Sequence, residues 1–296
     1  MENENKDDIT LDIPVIQWFP GHMTKARRDI QDKLKMVDMV IELRDARVPA
    51  ASANPLIKDI IGSKPRLIVL TKADLADEKE TLKWIKYFND EQNRVIAVDA
   101  LETGAVKAVV NNCIELMQPM IERQKRRGIK PRPIRCMVCG IPNVGKSTLI
   151  NQIAKKKVAA TGNRPGVTKS LQWIKSGKQI ELLDTPGVLW PKFDDEQVGL
   201  RLAVTGAIKD QLLPLEEVAY YAIRYLIDAC PQSLSERYQV AINNNEHEML
   251  VAIGKQKGIL IHGGEVDIKR TLVLFMKDIR ECKFGRLTWE RCDEVH

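Results

Sequence analysis

The sequence lacks a hydrophobic run long enough to cross a membrane. A transmembrane helix needs about 20 mainly apolar residues, and no stretch of these 296 residues approaches that length. Residues 1–8 are polar and acidic, unlike the apolar core of a secretory signal or the basic composition of a mitochondrial leader. We therefore expect a cytoplasmic protein that does not associate with membranes.

The chain also lacks the cysteine pattern of a disulfide framework or a zinc site. Its six cysteines are scattered, and Cys136 and Cys139 form the one closely spaced pair. No second cysteine pair or histidine pair stands near them to complete a zinc shell. The cysteines thus indicate free thiols in a reducing compartment. An internal repeat and a low-complexity tract are absent too, which excludes a repeat architecture.

What remains is the composition of a globular protein, with 44% apolar and 29% charged residues. The length is sufficient for two domains. The net charge of +6 is modest, but one short stretch concentrates basic residues, which favours a polyanionic partner such as RNA. That stretch contains Arg123, Lys125, Arg126, Arg127, Lys130, Arg132 and Arg135.

Apolar runs rich in β-branched residues alternate with helical patterns through the first two thirds of the chain. The runs predict strands at residues 36–43, 66–70, 94–98, 134–139, 173–174 and 180–183. The helical patterns cover residues 24–35, 78–90, 105–127 and 148–155. This alternation predicts an α/β fold with a doubly wound, mostly parallel sheet, in which ligands bind beyond the carboxyl ends of the strands. After residue 190 only helical periodicity remains, clearest at residues 215–228 and 267–283.

A phosphate-binding P-loop occupies the middle of the chain. Residues 140–147 read G-I-P-N-V-G-K-S, the pattern G-x-x-x-x-G-K-[ST], between a predicted strand and a predicted helix. In such a loop, backbone N–H groups and the positive end of the next helix hold the phosphates of a nucleotide. We expect Lys146 to reach the β and γ phosphates and Ser147 to bind Mg²⁺. Further nucleotide contacts are expected from Pro142, Asn143, Val144, Gly145 and Thr148.

Two other segments supply groups for the γ phosphate and its metal. The strand predicted at residues 180–183 leads into D-T-P-G, where Asp184 would hold Mg²⁺ through water and the N–H of Gly187 would approach the γ phosphate. Between the P-loop and this strand, Thr168 offers a hydroxyl to the same phosphate and metal. Together with the P-loop, these segments predict a nucleoside triphosphatase.

The base-reading segment is Thr71-Lys72-Ala73-Asp74, which follows the strand predicted at residues 66–70. The Asp74 carboxylate can accept hydrogen bonds from two N–H groups of guanine, which adenine cannot match. The alternative is that Asp74 only caps a helical turn. This segment precedes the P-loop, whereas the usual order places it after, so the sequence predicts a circularly permuted GTPase.

A second loop could complete the base site. Asp99-Ala100-Leu101 follows the strand predicted at residues 94–98. It could present backbone N–H groups to the base.

These segments, taken together, carry a family resemblance. In chain order they are T-K-A-D, D-A-L, G-I-P-N-V-G-K-S, P-G-V-T and D-T-P-G, preceded by W-F-P-G-H-M at residues 18–23. The set closely resembles the circularly permuted ribosome-biogenesis GTPases of the YlqF/RbgA type, from residue 15 to the end of the chain. The resemblance implies GTP hydrolysis during late assembly of the bacterial 50S subunit, with the pre-50S particle, rRNA and ribosomal proteins as partners.

We accordingly divide the chain into three parts and expect a monomer. The parts are a polar tail at residues 1–14, a circularly permuted GTPase domain at residues 15–190 and an all-helical domain at residues 191–296. The resemblance implies that the helical domain contacts ribosomal RNA. Because the γ-phosphate-sensing segment runs directly into it, we expect RNA binding and GTP binding to be coupled reciprocally.

The chain departs from the family pattern at two base-site positions. Thr71 stands where asparagine is usual, so we expect weaker guanine affinity with the specificity preserved by Asp74. Asp99 stands where serine is more common, which affects the fine contacts of this loop and not the nucleotide class. Many GTPases place a water-orienting glutamine directly after D-x-x-G, and here that residue is Val188. We therefore expect slow intrinsic hydrolysis that the ribosomal particle stimulates.

The resemblance points to His22 as the group that completes catalysis beside Lys146, because imidazole can relay a proton near neutral pH. The alternative is that His22 touches RNA or packs in an N-terminal turn. Asn143 is the position that related GTPases use to coordinate K⁺, so K⁺ is a candidate cofactor beside GTP or GDP and Mg²⁺. Two other classes stay open, an ATP-using P-loop metabolic kinase and a non-catalytic RNA-binding assembly factor with a structural nucleotide.

Overall fold

A computed structural model describes most of the chain. The described residues are 28, 30–130, 132–155, 172–176, 179–185, 195–208, 210 and 214–294. His22, Thr168, Gly187 and Val188 lie outside them.

A six-stranded sheet forms the centre of the described fold, in the order β3-β2-β1-β4-β6-β5. Five strands run parallel, and β5 pairs antiparallel with β6 at one edge. The doubly wound, mostly parallel α/β fold expected from the sequence is confirmed. The strands are β1 (Met39–Asp45), β2 (Arg66–Thr71), β3 (Asn93–Val98), β4 (Ile134–Gly140), β5 (Gln172–Ser176) and β6 (Ile180–Asp184).

Helices cover both faces of the sheet, which explains why the central strands are apolar on both sides. Successive strand residues point to opposite faces, so Ile41 and Leu43 of β1 belong to one core cluster and Val40 to another. On the first face lie α3 (Ala105–Leu116), α4 (Gln118–Arg126) and α5 (Lys146–Ala154); on the second lie α1 (Pro55–Ile61) and α2 (Glu78–Phe88).

The single helix predicted at residues 105–127 is two helices, and that prediction was wrong. The first ends at Leu116, and the second begins at Gln118 with Pro119 in its first turn. Proline lacks a backbone N–H and crowds the carbonyl four residues earlier, so it is accepted in a first turn but not inside a helix. The apolar periodicity continues across the break, and the pattern alone therefore did not reveal it.

Strand β1 ends two residues later than predicted, and its carboxyl end carries buried charges. Glu42, Arg44 and Asp45 are each at most 5% exposed. Glu42 pairs with Arg44 at 2.8 Å and with Arg66 at 2.9 Å. A buried carboxylate is tolerated where cations pair with it. The predicted strand ended at residue 43, before Arg44 and Asp45.

From residue 195 onward, the described elements are helices apart from one antiparallel bridge between Leu260 and Val266. This agrees with the expected helical C-terminal region, which shares one continuous hydrophobic cluster with the sheet. Among the described helices, none combines the length and hydrophobicity that a membrane span requires. The helices are α6 (Glu196–Val204), α7 (Leu215–Ala229), α8 (Pro231–Tyr238), α9 (Glu246–Gln256) and α10 (Ile268–Arg280).

Residues 287–290, which we name the C-terminal strap, return from the helical region to the loops of the sheet. The Leu287 N–H donates to the carbonyl oxygen of Leu75 at 3.0 Å, and the Trp289 N–H donates to that of Arg47 at 2.7 Å. Leu75 follows β2 and Arg47 follows β1. The strap therefore joins two loops at the carboxyl edge of the sheet.

Candidate nucleotide-binding site

The P-loop connects the carboxyl end of β4 to the first turn of α5. Asn143 (φ 60°) and Gly145 (φ 91°) adopt left-handed backbone conformations, which turn successive N–H groups toward one concavity. α5 begins at Lys146, so its positive end faces the same space. The start of the loop requires glycine, because a Cβ on Gly140 would lie only 2.8 Å from the carbonyl oxygen of Leu43. The local backbone thus fits a chain of phosphates.

The other P-loop residues named from the sequence complete this turn. Pro142 and Val144 are buried inside the loop, whereas Ser147 and Thr148 are partly exposed in the first turn of α5. A ligand can therefore reach Ser147 and Thr148.

Lys146 and Asp184 form a buried ion pair at the place where phosphates and a metal are expected. Their Nζ and Oδ1 atoms are 3.2 Å apart, and the same Nζ donates to the carbonyl oxygen of Thr185. Burial lowers the pKa of Lys146, and the Asp184 carboxylate acts in the opposite direction. The Thr185 hydroxyl donates to the carbonyl oxygen of Val138 at 2.7 Å, which fixes the end of β6 beside β4.

The donor set near this pair fits a nucleotide-bound Mg²⁺. Within the described ranges, no group of three or more His, Cys, Asp or Glu side chains could hold a metal by itself. Mg²⁺ at nucleotide sites needs only one or two protein oxygens, because phosphates and waters supply the others. Ser147 at the start of α5 and Asp184 at the end of β6 provide such oxygens.

The base-reading segment contacts the P-loop directly. The Thr71 hydroxyl lies 2.6 Å from the carbonyl oxygen of Val144 and 3.0 Å from that of Arg44, with the hydroxyl as donor. Asp74 is exposed in a single 3-10 turn, Ala73–Leu75. The threonine that replaces the usual asparagine therefore ties the two loops together.

The capping alternative for Asp74 finds no support in helix α2. Its N-cap is Asp77, whose side chain accepts from the Glu80 N–H at 2.8 Å. Asp74 lies three residues earlier and is exposed.

The loop after β3 uses one of its own N–H groups internally. The Leu101 N–H donates to Asp99 Oδ1 at 2.8 Å, and the Leu101 side chain is 77% exposed. Ala100 is buried between them. The Leu101 N–H is thus engaged within the loop, and contacts of Asp99, Ala100 and Leu101 to a base stay a prediction.

Two functional candidates were missed by the sequence reasoning. Asp45, the last residue of β1, contacts Lys72 Nζ through Oδ2 at 2.8 Å. The Arg47 side chain donates to both oxygens of the same carboxylate, at 2.9 and 2.8 Å. The position directly after a strand, shared with the other site segments, was the signal that could have revealed them.

The Asn143 side chain reaches the helical region. Its Nδ2 donates to the carbonyl oxygen of Gly206 at 3.1 Å. This bond uses the amide nitrogen, whereas a K⁺ ion would need the amide oxygen.

The fold and the order of these loops define a P-loop GTPase with circularly permuted motifs. Comparison with known proteins leads to the same class, since the model of the family described as 50S ribosome-binding GTPase matches residues 135–255. Ribosome biogenesis GTPase A of Bacillus cereus is 51% identical to this chain over 281 residues, which cover 95% of each protein. Its counterpart in Thermotoga maritima is 31% identical over 286 residues, 95% of this chain and 96% of the relative.

Solved structures are similar over nearly the same length. The GDP-bound structure of Thermotoga maritima YlqF is 27% identical, with a TM-score of 0.61 over 90% of this chain and 99% of the other. The GNP-bound structure is 26% identical, with a TM-score of 0.61 over 92% and 100%. The chain therefore belongs to the ribosome biogenesis GTPase A family, which confirms the resemblance and the expected GTPase activity.

Proposed function

We propose that this protein binds the precursor of the bacterial large ribosomal subunit and hydrolyses GTP late in its assembly. The names of its relatives and the description of its family support this proposal. The observation that carries the nucleotide-binding part of the proposal is the 2.6 Å bond from Thr71 to Val144, which joins the segment proposed to read the base to the P-loop. We further propose that the protein acts as a cytoplasmic monomer.

In this proposal, the P-loop main chain from Pro142 to Thr148 holds the phosphates of GTP or GDP. Asp74 reads guanine, and Ala100 adds a backbone contact. The Lys146 ammonium leaves Asp184 and the Thr185 carbonyl for phosphate oxygens, because the β and γ phosphates offer several anionic oxygens whereas Asp184 offers a single carboxylate. The Thr71 hydroxyl keeps the base loop in register with the P-loop during this exchange.

Ser147, Asp184 and Thr168 are the proposed residues around Mg²⁺, and Gly187 is the proposed backbone donor to the γ phosphate. When bound, Mg²⁺ would neutralise charge on the β and γ phosphates. Asp184 is 3% exposed, so its carboxylate would act in a site with little competing water.

The hydrolytic step needs a group that Val188 cannot supply. We assign it to His22, which would relay a proton when the ribosomal particle brings it toward the γ phosphate. The amide oxygen of Asn143 would bind K⁺, which adds positive charge near the phosphates. Equal turnover in K⁺ and Na⁺ buffers would remove K⁺ from this scheme.

The exposed basic residues of α4 and the following loop form the proposed RNA-facing surface. Arg123, Lys125, Arg126, Arg127 and Lys130 are exposed. Arg132 and Arg135 belong to the same stretch but form internal ion pairs, with Asp38 at 2.7 Å and Glu181 at 3.3 Å. Phosphate contacts are therefore proposed for the five residues before residue 131.

The test is a GTPase assay with and without purified large-subunit particles, together with GDP and ADP binding. We expect preference for GDP, slow basal turnover and clear stimulation by the particle. Guanine binding without stimulation would favour the non-catalytic assembly factor. Equal binding of ADP would favour the metabolic kinase.

A further inference from the structure

We propose that Asp45 is a positioning residue of the guanine site, which holds Lys72 in place and connects it to the end of helix α6. The inference rests on the proposed function, because it concerns the nucleotide affinity of the same site. It goes beyond that function in assigning a role to a residue outside the nucleotide-binding motifs.

Asp45 stands between the two halves of the site. β1 lies between β2, which leads to the base-reading segment, and β4, which leads to the P-loop. Asp45 is paired with Thr71 in the register of β1 and β2. Its side chain is nearly inaccessible, with 2% exposure for the residue. A charge placed here acts on both loops, because little water separates it from either.

Lys72 has a backbone conformation that needs support. Its φ of 57° and ψ of 36° lie in the left-handed region, which a lysine seldom adopts. The ion pair with Asp45 at 2.8 Å holds the ammonium end. The side chain remains 26% exposed, so part of it is accessible to a nucleotide. The same turn determines where Asp74 is presented, two residues later.

Arg47 extends the network away from the base. Its guanidinium binds both oxygens of Asp45, and NH2 also donates to the carbonyl oxygen of Thr205 at 3.0 Å. The adjoining carbonyl, that of Gly206, accepts from Asn143 of the P-loop at 3.1 Å. The residues directly after α6 are thus bound both by the P-loop and, through Asp45, by the base-reading loop.

The charges explain why the arrangement holds together. Burial alone would raise the pKa of Asp45, but the Arg47 and Lys72 charges hold it well below its usual range. Removing the carboxylate charge would leave two cations facing each other across a neutral group. Lys72, which is the more exposed of the two, would then leave its position.

Glu42 provides a matched control on the same strand. It is 2% exposed, and it also binds two cations, Arg44 and Arg66. Those cations belong to strands β1 and β2 and not to the base-reading segment. Both Asp45→Asn and Glu42→Gln therefore remove a buried carboxylate charge from β1. Only Asp45→Asn also removes the contact with Lys72.

The test measures dissociation constants of the full chain for fluorescent GDP and ADP, with thermal unfolding to verify folding. We expect Asp45→Asn to weaken GDP binding about tenfold and Glu42→Gln to leave it within about twofold. In steady-state assays over a range of GTP concentrations, KM should rise much more than kcat falls. In a Lys72→Met background, Asp45→Asn should add less than about a twofold change, because the two residues act as a unit.

Unchanged GDP affinity in Asp45→Asn, or equal weakening by Glu42→Gln, overturns the inference and leaves the proposed function intact. Equal GDP and ADP affinity in the unmodified protein overturns the proposed guanine site itself. Should Asp45→Asn fail to fold, Asp45→Glu keeps the charge while shifting it by one methylene. That variant should still weaken GDP binding, and an unchanged affinity there also overturns the inference.

Discussion

The hydroxyl of Thr71 donates a 2.6 Å hydrogen bond to the carbonyl oxygen of Val144, across 73 residues of sequence. The residue that departs from the family's base motif is thus the one that joins this motif to the P-loop. We predict that Thr71→Val weakens GTP and GDP binding about tenfold, because a buried carbonyl loses its donor. The preference for guanine over adenine should persist, since Asp74 is unchanged. Nucleotide titration checks both.

Thr71→Ser serves as the control for this prediction, because it retains the hydroxyl. Affinity close to that of the unmodified protein is expected there. If the valine variant bound as tightly as the serine variant, the hydrogen bond would have no role in nucleotide binding.

Glu290 should make the free energy of unfolding depend on pH. Its two oxygens accept the N–H groups of Ala50 and Ala51, both at 2.7 Å. Burial raises the pKa of Glu290 to about 7 from an ordinary 4.5, although the two N–H groups and Arg201 act against the rise. The folded state therefore binds the proton more tightly than the unfolded state. This contribution is fully present below pH 4.5 and is lost as the pH rises through about 7.

Glu290→Gln should remove that dependence. We expect the free energy of unfolding of the unmodified protein to fall, relative to the variant, by up to about 3 kcal/mol between pH 4.5 and 7. Denaturant unfolding across this range measures it, with the exposed Glu91→Gln as control. Parallel pH profiles for Glu290→Gln and the unmodified protein would contradict the assignment.

The C-terminal strap should support nucleotide binding. Trp289 is 2% exposed, and its ring lies 4.8 Å from that of Tyr225, centroid to centroid. We predict that Trp289→Ala costs about 3–5 kcal/mol of stability through the cavity it leaves. GDP binding should also weaken at temperatures where the variant is folded, because the strap holds Leu75 beside the base-reading segment.

Val273→Ala is a suitable control for that experiment, since Val273 is 61% exposed on α10. It should change neither stability nor affinity. A folded Trp289→Ala protein with normal GDP affinity would show that the strap does not act on the nucleotide site.

Particle-stimulated hydrolysis should depend on His22. We predict that His22→Ala keeps GTP affinity within about twofold, because the phosphates and the base are held elsewhere. Turnover in the presence of large-subunit particles should fall by about 10²–10⁴-fold, the usual contribution of a general acid or base. Single-turnover assays measure it. Stimulated turnover at the unmodified rate would rule the histidine out.

Charge reversal on α4 should weaken particle binding in a salt-dependent manner. Arg126→Glu and Arg127→Glu change exposed residues, so folding should be preserved. Fewer cations near phosphates release fewer counterions, and the slope of log affinity against log salt should become shallower. Lys79→Glu, an exposed site on α2, is the matched control. Identical salt slopes for the three variants and the unmodified protein would remove α4 from the interface.

The sheet and the P-loop could be predicted from sequence because their signals are local. Apolar runs such as that of β4 and the glycine pattern at residues 140–147 need no knowledge of distant residues. Pro119 was also a local signal, but uninterrupted apolar periodicity outweighed it. The buried end of β1 could not be predicted in the same way. Asp45 resembles a loop residue until its cations are known, and Lys72 is 27 residues away.

The base-reading segment was predicted from a local run of residues, but the contacts that support it were not. Thr71, Lys72 and Asp74 form a recognisable run, whereas nothing local in residues 287–290 indicates which loop they contact. The Thr288 hydroxyl accepts from the Asp77 N–H at 3.1 Å. Such a contact depends on how the helical region returns to the sheet, and no periodicity contains that information.

Thr288 and Asp77 are separated by 211 residues, and this separation has a consequence for synthesis. During translation, β1, β2 and the loops that follow them are synthesised long before the strap residues that contact these loops. A nascent chain therefore lacks this contact to Asp77 until the residues that follow α10 have been added. The loop that we propose to read guanine is fastened at Asp77 only after that point in synthesis.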